Sequence, residues 1–378
     1  MMAHARARFG RLRSDLARPR AEDGAPLLEE PSARSDLALE AHSFALQRAQ
    51  AATLPGVQSV EEDLGFGTLT RLTVENELGA QLIGKPVGTY TTLHVPRLQE
   101  RRREIGSEVS QALAREIEGF LEEAGLGPDA PVLVVGLGNW NATADNVGPL
   151  TTSKLLVTRH LHEYQVLDAQ VLGRMRPVAA LSPGVLGLTG VETAEIVRGV
   201  VERVRPRCVI CVDALASRSV ERLGTTFQMS DAGIHPGSGV GNTRAALNEE
   251  SLGVPVLALG CPTVIYATTM VSEALDRLAE RQAAPAPGPS GGSLLDPARI
   301  RLGAGPSPGG GAGANRFAVD PQMRQGLMEE VLRPFMGQLI VTPKEVDLLV
   351  ESLSDILADA LNEALHPGLS AEEAALLR

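Results

Sequence analysis

The sequence predicts an α/β fold in which a mainly parallel or mixed central sheet is flanked by helices. Three short apolar runs carry this prediction, at residues 132–135, 208–212 and 254–260. Each run is aliphatic and ends at a glycine or a polar loop, which is typical of buried strands in a parallel sheet. Helical patterns separate the runs, so right-handed strand–helix–strand crossovers should join them.

The composition indicates a globular protein with an aliphatic core. Of its 378 residues, 43% are apolar but only 3% are aromatic. A net charge of −11 argues against non-specific binding to nucleic acid or to anionic membranes. No apolar run approaches the roughly 18 residues of a spanning helix, and the N-terminus lacks the apolar stretch of a secretory signal. Three cysteines fit a reducing compartment, so we expect a cytoplasmic protein.

The first third of the chain predicts a polar tail, strands and a long helix. An Arg-rich and then acidic composition predicts that the tail is solvated, and apolar spacing predicts the helices. In order, the elements are a tail at 1–33, a helix from Ser35 or Asp36 to about Ala52, strands within 56–75 with turns at Gly65 and Gly67, a strand-rich piece at 81–92 and a helix at 99–124.

The rest of the chain alternates helices with the apolar runs. A Pro/Gly-rich stretch near residue 300 is too poor in large apolar residues to fold by itself. In order, the predicted elements are a helix at 150–161, an irregular segment at 176–190, a helix at 191–204 capped by Thr189, a long loop at 227–242, a helix at 268–278, a flexible insert at 283–313 and helical periodicity at 319–365 that restarts at Thr342-Pro343.

Two aspartates are the strongest chemical candidates. Asp145 lies in the loop after the first run, and Asp213 directly follows the second. Ligands bind beyond the carboxyl ends of strands in open α/β sheets, so both side chains should reach one edge. Two adjacent carboxylates share a proton, and one can then deprotonate water while the other polarises a carbonyl group. Helix capping and turn formation are the alternative role for both residues.

His235 and Glu192 are weaker candidates. A histidine in a glycine-rich loop often only hydrogen-bonds that loop, and a first-turn glutamate favours the helix dipole. Asp145, Asp213 and His235 together could bind a divalent metal ion, an alternative that stays open beside a metal-free site.

The cysteine pair at 208 and 211 has C-x-x-C spacing. On a strand, however, residues three apart point to opposite faces, so we expect core packing rather than zinc or redox chemistry.

Several unusual blocks of sequence occur in an order that resembles the spore germination proteases of endospore-forming bacteria. The resemblance covers about residues 34–282 and 327–366. The blocks are VVGLGNWNATADNVGP, LVTRHL, RPVAALSPGVLGLTGVET, DALASRS, DAGIHPGSGVGN and VTPKEVD.

The resemblance implies an endopeptidase that degrades small acid-soluble spore proteins in the spore core during germination. It implies a core similar to hydrogenase maturation proteases, with extra N-terminal strands and a C-terminal helical segment. The family is treated as aspartic-type after earlier classing as metallopeptidases, and its proposed catalytic aspartates match Asp145 and Asp213. We expect a homotetramer without direct nucleic-acid or membrane partners, and no cofactor unless a divalent metal takes part.

The resemblance also implies a zymogen that trims its own N-terminus. Family substrates are cut after an acid and before an apolar residue, Ala, any residue and Glu, and Asp36-Leu37-Ala38-Leu39-Glu40 has that form. The predicted cut lies between Asp36 and Leu37, in a segment expected to be flexible. The expected organisation is a propeptide at 1–36, a catalytic domain at 37–282, an insert at 283–315 and a C-terminal helical segment at 316–370.

One departure from the family pattern bears on activity. Many members carry Asp in the block written here as PTVIYATT, where this chain has Tyr266. A catalytically impaired binding homologue is therefore one alternative, and a metal-dependent peptidase of the same fold is another. For substrate recognition we name Arg218, Arg159 and His235 as candidates.

Overall fold

A computed structural model of the chain describes residues 35–100, 102–235, 245–271, 273–274, 339–370, 373–374 and 377. The predicted tail at 1–33, the insert at 283–315 and the start of the C-terminal segment lie outside these ranges. Of the helix predicted at 268–278, residues 268–271 and 273–274 are described and are helical.

A mixed sheet forms the centre of the described structure. Within the described residues it has nine strands in the spatial order β1-β2-β3-β7-β8-β6-β4-β5, with β9 paired to β8. Strands β8, β6, β4 and β5 run parallel, whereas β1, β2, β3 and β7 are joined by antiparallel pairings. The strands are β1 (Val57–Asp63), β2 (Thr68–Val74), β3 (Gly88–His94), β4 (Val132–Gly136), β5 (Val178–Leu181), β6 (Cys208–Ser217), β7 (Thr226–Ser230), β8 (Val256–Tyr266) and β9 (Ile340–Val341).

Helices cover both faces of the sheet. Across the described ranges, no helix combines the length and apolar character needed to cross a bilayer. The helices are α1 (Ala38–Ala49), α2 (Glu77–Ile83), α3 (Arg103–Glu123), α4 (Val147–Ser153), α5 (Arg159–Glu163), α6 (Ala169–Leu172), α7 (Leu186–Thr189), α8 (Thr193–Val204), α9 (Glu249–Leu252) and α10 (Val346–Leu365).

The core has one main cluster on each face of the parallel strands. Helices α3 and α10 pack over one face, and α8 packs over the other. Cys208 belongs to the first cluster and Cys211 to the second, both as free and fully buried thiols. The alternation of side chains along β6 therefore confirms that these cysteines pack in the core on opposite faces.

Several predicted boundaries were wrong. The strand predicted at 208–212 continues to Ser217, so Asp213 lies inside β6 and not after it. The irregular segment at 176–190 contains β5, and the helix predicted at 150–161 is divided into α4 and α5. Part of the strand-rich piece at 81–92 is helical, because Asn76 caps α2 by accepting a hydrogen bond from the amide of Gly79.

Three helices also begin at residues other than those predicted. Helix α1 begins after Leu37, and neither Ser35 nor Asp36 caps it with its side chain. Helix α8 follows Glu192, and Thr189 instead accepts a hydrogen bond from the amide of Val191. Helix α10 begins at Val346, a few residues after the Thr-Pro pair.

Candidate active site

A cavity of about 530 Å³ opens where the antiparallel strands meet the parallel ones. It is lined from the parallel side by Asp145 and Asp213, and from the antiparallel side by Gln228 of β7. Asp36, from the segment before α1, lines the same cavity. The two aspartates predicted from the sequence therefore line one cavity, although Asp213 is delivered by the middle of a strand.

Asp213 is held rigidly because β6 is paired beyond it. Strand β8 runs to Tyr266 and pairs with β6 from Val209 to Ser217. The side chain of Asp213 is 8% exposed, and its Oδ1 accepts a hydrogen bond of 2.9 Å from the amide of Ala214. A side chain anchored on a central strand has little freedom, which suits a catalytic group.

Asp145 ends a 3₁₀ turn, Thr143–Asp145, that is tied to β8 and to the loop after β4. The hydroxyl of Thr263 on β8 donates to the carbonyl oxygen of Ala144 at 2.6 Å, and the amide of Asn139 donates to the carbonyl oxygen of Asp145 at 2.9 Å. These bonds place a half-buried carboxylate from a loop over the end of β4.

Two glycines permit this close approach. Gly138 has φ +117°, and a Cβ there would lie 2.0 Å from the carbonyl oxygen of Asp145. A Cβ on Gly148 would lie 2.3 Å from the carbonyl oxygens of Leu137 and Val212. Glycine is thus required where the loop folds back and where α4 crosses the parallel strands.

The segment at 35–37 adds to an open edge of β6. Strand β4 ends at Gly136, opposite Val212, so β6 has no β4 partner farther along. There the amide of Asp36 donates to the carbonyl oxygen of Ala216 at 3.0 Å, and the amide of Ala216 donates to Asp36 Oδ2 at 2.8 Å. One of these bonds joins two backbones and the other uses the side chain of Asp36, so the segment is tied to this edge without forming a ladder.

The carbonyl oxygen of Asp36 accepts two hydrogen bonds of its own. Lys85, between α2 and β3, donates from Nζ at 3.0 Å, and Gln228 donates from Nε2 at 3.1 Å. Lys85 also donates to the carbonyl oxygen of Ser35 at 3.1 Å, and Gln228 Oε1 accepts from the amide of Ala38 at 2.6 Å. The backbone on both sides of the Asp36–Leu37 bond is thereby fixed.

Glu40 anchors the segment on its other side. Its buried carboxylate accepts hydrogen bonds from the amides of Arg218 at 2.6 Å and Ser219 at 2.9 Å, and Arg222 Nε lies 3.6 Å away. The side chain of Leu37 is fully buried. The flexible, exposed segment predicted from the sequence is therefore docked against β6 from Ser35 onward and helical from Ala38.

Comparison with known proteins identifies the family of the chain. The sequence model described as germination protease matches residues 36–283 and 317–377. The chain belongs to the germination protease family. It is 43% identical to the germination protease of Caldanaerobacter subterraneus subsp. tengcongensis over 340 residues, covering 90% of this chain and 96% of that protein. The germination protease of Clostridium acetobutylicum is 39% identical over 342 residues, covering 90% and 98%.

A solved hydrogenase maturation protease, HycI from Thermococcus kodakarensis KOD1, is also similar over 41% of this chain and 90% of its own. The sequence identity is 20% and the TM-score is 0.24, too low to carry any argument. Family membership rests on the sequence and indicates a peptidase.

The remaining site residues predicted from the sequence lie in surroundings that differ from one to the next. His235 lines the cavity and is exposed. Glu192 precedes α8 without capping it, and the guanidinium of Arg218 lies over the ring of Phe44, 4.4 Å from its centroid. Arg159 forms an ion pair with Glu163. Neither arginine is part of the cavity lining, so the structure does not place them where we expected.

The structure also describes the surroundings of the three proposed metal ligands and of Tyr266. Asp145, Asp213 and His235 do not form a metal-binding cluster, and no group of three or more His, Cys, Asp or Glu side chains in the described ranges does so. Tyr266 is 2% exposed at the end of β8, and it is not among the described residues that line the cavity.

Two residues of the site, Lys85 and Gln228, were missed by sequence reasoning. Lys85 lies in a short connection before a proline, where a lysine is usually solvated. Gln228 lies on a strand between large apolar residues, and a lone amide there carries no motif. No local signal could have found them, because their role depends on a segment almost 200 residues away from Gln228.

Proposed function

We propose that the chain is an aspartic-type endopeptidase, made as a zymogen that cuts itself between Asp36 and Leu37. One observation carries the proposal: Asp36 lies in the cavity that Asp145 and Asp213 line. The amide of Asp36 donates to the carbonyl oxygen of Ala216 and Asp36 Oδ2 accepts from the amide of Ala216, so the residue before the proposed cut is held at the edge of β6.

Peptide hydrolysis by the aspartate pair needs one proton shared between the two carboxylates. The ionised carboxylate takes a proton from a water molecule, and the oxygen of that water molecule bonds to the carbonyl carbon of Asp36. The protonated carboxyl group then gives its proton to the nitrogen of Leu37 as the C–N bond breaks. The pair ends with the same number of protons, and the products are a carboxylic acid and a free amine.

The segment at 36–40 also indicates the substrate. Leu37 is buried and Glu40 is bound by two amides and an arginine, so an apolar residue after the cut and an acid three residues later are both recognised. We propose small acid-soluble spore proteins, cleaved at similar sequences in the germinating spore core, as the substrates. We further propose a homotetramer that needs no metal ion.

The first test replaces each aspartate by asparagine in the full chain. We expect Asp145→Asn and Asp213→Asn to slow the appearance of an N-terminus at Leu37, followed by mass spectrometry, at least about 10³-fold. Because asparagine keeps the shape and Oδ1 of Asp213, the melting temperature should change little. Undiminished processing by either variant would remove that residue from the mechanism.

Two controls separate the alternatives. Wild-type activity that vanishes with a chelator and returns with one divalent ion would select the metal-dependent peptidase. Wild-type protein that neither trims itself nor cuts a peptide of residues 32–43, yet binds a small acid-soluble spore protein, would select the catalytically impaired homologue. Sedimentation of the purified chain tests the tetramer.

A further inference from the structure

We propose that Lys85 and Gln228 form the oxyanion-binding site of this peptidase. The inference rests on the proposed function, since it takes the bond between Asp36 and Leu37 as the bond that is cut. Both side chains donate to the carbonyl oxygen of Asp36, at 3.0 and 3.1 Å. That oxygen is the atom on which negative charge develops when water attacks.

The orientation of Gln228 is fixed by the peptide itself. Its Oε1 accepts from the amide of Ala38 at 2.6 Å, a contact that only the oxygen can make with an N–H donor. The Nε2 group must therefore face the carbonyl oxygen of Asp36. Gln228 thus spans the scissile bond, with its donor before the bond and its acceptor after it.

Lys85 brings a positive charge to the same oxygen. Its ammonium group is held by a second bond to the carbonyl oxygen of Ser35 at 3.1 Å, and the side chain is half-buried. A cation and an amide donor that are already in place stabilise an oxyanion more than they stabilise the neutral carbonyl, and the gain is larger away from water.

This assignment divides the reaction between two sets of residues. Lys85 and Gln228 polarise the carbonyl group and bind the oxyanion of the tetrahedral intermediate, without gaining or losing protons. Asp145 and Asp213 then only move protons, from water to the leaving nitrogen. From the sequence, we expected one aspartate to polarise the carbonyl group; in this assignment Lys85 and Gln228 polarise it instead.

The experiment measures the first-order rate of self-processing of the full chain by mass spectrometry. Lys85→Ala should reduce the rate about 10²–10³-fold, the usual loss for one oxyanion donor. Gln228→Glu keeps the acceptor for Ala38 and turns the donor into a repelling oxygen, so we expect a similar loss. Lys154→Ala, which removes a lysine paired with Glu351 and Asp355, should process like the wild type.

Chemical rescue separates a catalytic charge from a structural contact. Added ethylammonium should restore part of the rate of Lys85→Ala with saturation, whereas ethanol, which is neutral and of similar size, should not. A merely structural lysine would not respond to a cation in this way. Urea unfolding of each variant checks that the slow variants are folded.

The outcomes can be told apart from failure of the proposed function. If the wild-type chain does not cut itself at Leu37, the proposed function fails first. Suppose instead that the wild-type chain cuts itself. If Lys85→Ala then cuts as fast or faster, or if it is folded and slow but ethylammonium does not restore its rate, the oxyanion assignment is wrong. The peptidase proposal stands in both cases. If Lys85→Ala does not fold, Gln228→Glu decides, and an unchanged rate would overturn the assignment.

Discussion

The two halves of the sheet contribute different chemistry to one cavity. The parallel half supplies both carboxylates, Asp213 from β6 and Asp145 from the loop after β4. The antiparallel half supplies donors, Gln228 from β7 and Lys85 from the connection into β3. Under the proposed mechanism, the parallel half moves protons and the antiparallel half binds the oxyanion, while the peptide contacts both halves.

The difference follows from how each kind of sheet is built. Parallel strands are covered by helices on both faces, so their carboxyl ends and following loops are where polar groups meet. The antiparallel strands join the parallel ones where β7 pairs with β8, and there Gln228 and Ser230, two residues apart on one face of β7, line the cavity. Substitutions that disturb the carboxylates or the two donors should therefore affect bond cleavage, and those at contacts farther along the peptide should affect its binding.

Among substitutions outside the proposed catalytic groups, the largest effect on cleavage is expected for Gly138→Ala in the parallel half. The φ of +117° is unfavourable for any L-residue, and the new methyl group would meet the carbonyl oxygen of Asp145 at 2.0 Å. The loop must move, and displacement of a catalytic group by about 1 Å can reduce the rate about 10²-fold. Self-processing followed by mass spectrometry measures the loss.

Gly199→Ala is the matched control for Gly138→Ala. Gly199 lies within α8, and a Cβ there would meet nothing within 4 Å. Its replacement should leave the rate unchanged and raise stability by about 0.5–1 kcal/mol in urea unfolding. A Gly138→Ala chain that processes at the control rate would show that the position of Asp145 does not limit the reaction.

A smaller effect is expected for Glu40→Gln, which weakens peptide binding only. The carboxylate accepts from the amides of Arg218 and Ser219, and glutamine would turn an NH₂ group toward one of these donors. The loss of one charge-assisted bond, about 1.5 kcal/mol, corresponds to roughly 10-fold slower self-processing. Glu202→Gln, on the exposed face of α8, is the control. An unchanged rate for Glu40→Gln would mean that this contact does not position the scissile bond.

How far the sequence predicts the fold depends on which interactions decide each element. The apolar runs at 132–135 and 208–212 are recognisable because burial on both faces demands them. The extension of β6 through Ala214 and Ala216 is not recognisable, because alanine has little strand preference and pairing with β8 decides it. For the same reason the Ala-rich β5 was missed.

The candidate site shows the same limit. Asp145 and Asp213 could be predicted because each follows or ends a recognisable run, and both line the cavity. Arg218 was named for its charge, but its side chain packs on Phe44 and its contribution to the peptide is a backbone amide. Backbone donors and lone side chains such as Lys85 are set by tertiary contacts, which local pattern does not encode.

The smallest effect on cleavage, and a clear effect on stability, is expected from two histidines, buried His366 and half-buried His94, one in each half. Burial lowers the pKa of His366, at the end of α10 behind the parallel half, to about 4, with Arg176 and His162 acting in the same direction. Burial and nearby Arg222 also lower the pKa of His94 on β3. Both histidines are therefore neutral in the folded protein at neutral pH.

Their contribution to stability should be lost on acidification. The unfolded-state pKa of histidine is about 6.5, so as pH falls the unfolded chain binds protons before the folded chain does. Stability is full above pH ~6.5 and falls from there toward pH ~4, by roughly 3 kcal/mol for His366. Urea unfolding at several pH values measures the slope. His366→Gln, which can still donate to the carbonyl oxygen of Leu156, should flatten that slope, and His94→Gln should flatten it less. An equal or larger change for His94→Gln would place the acid-sensitive packing in the antiparallel half, which carries the oxyanion donors, rather than behind the strands that carry the aspartates.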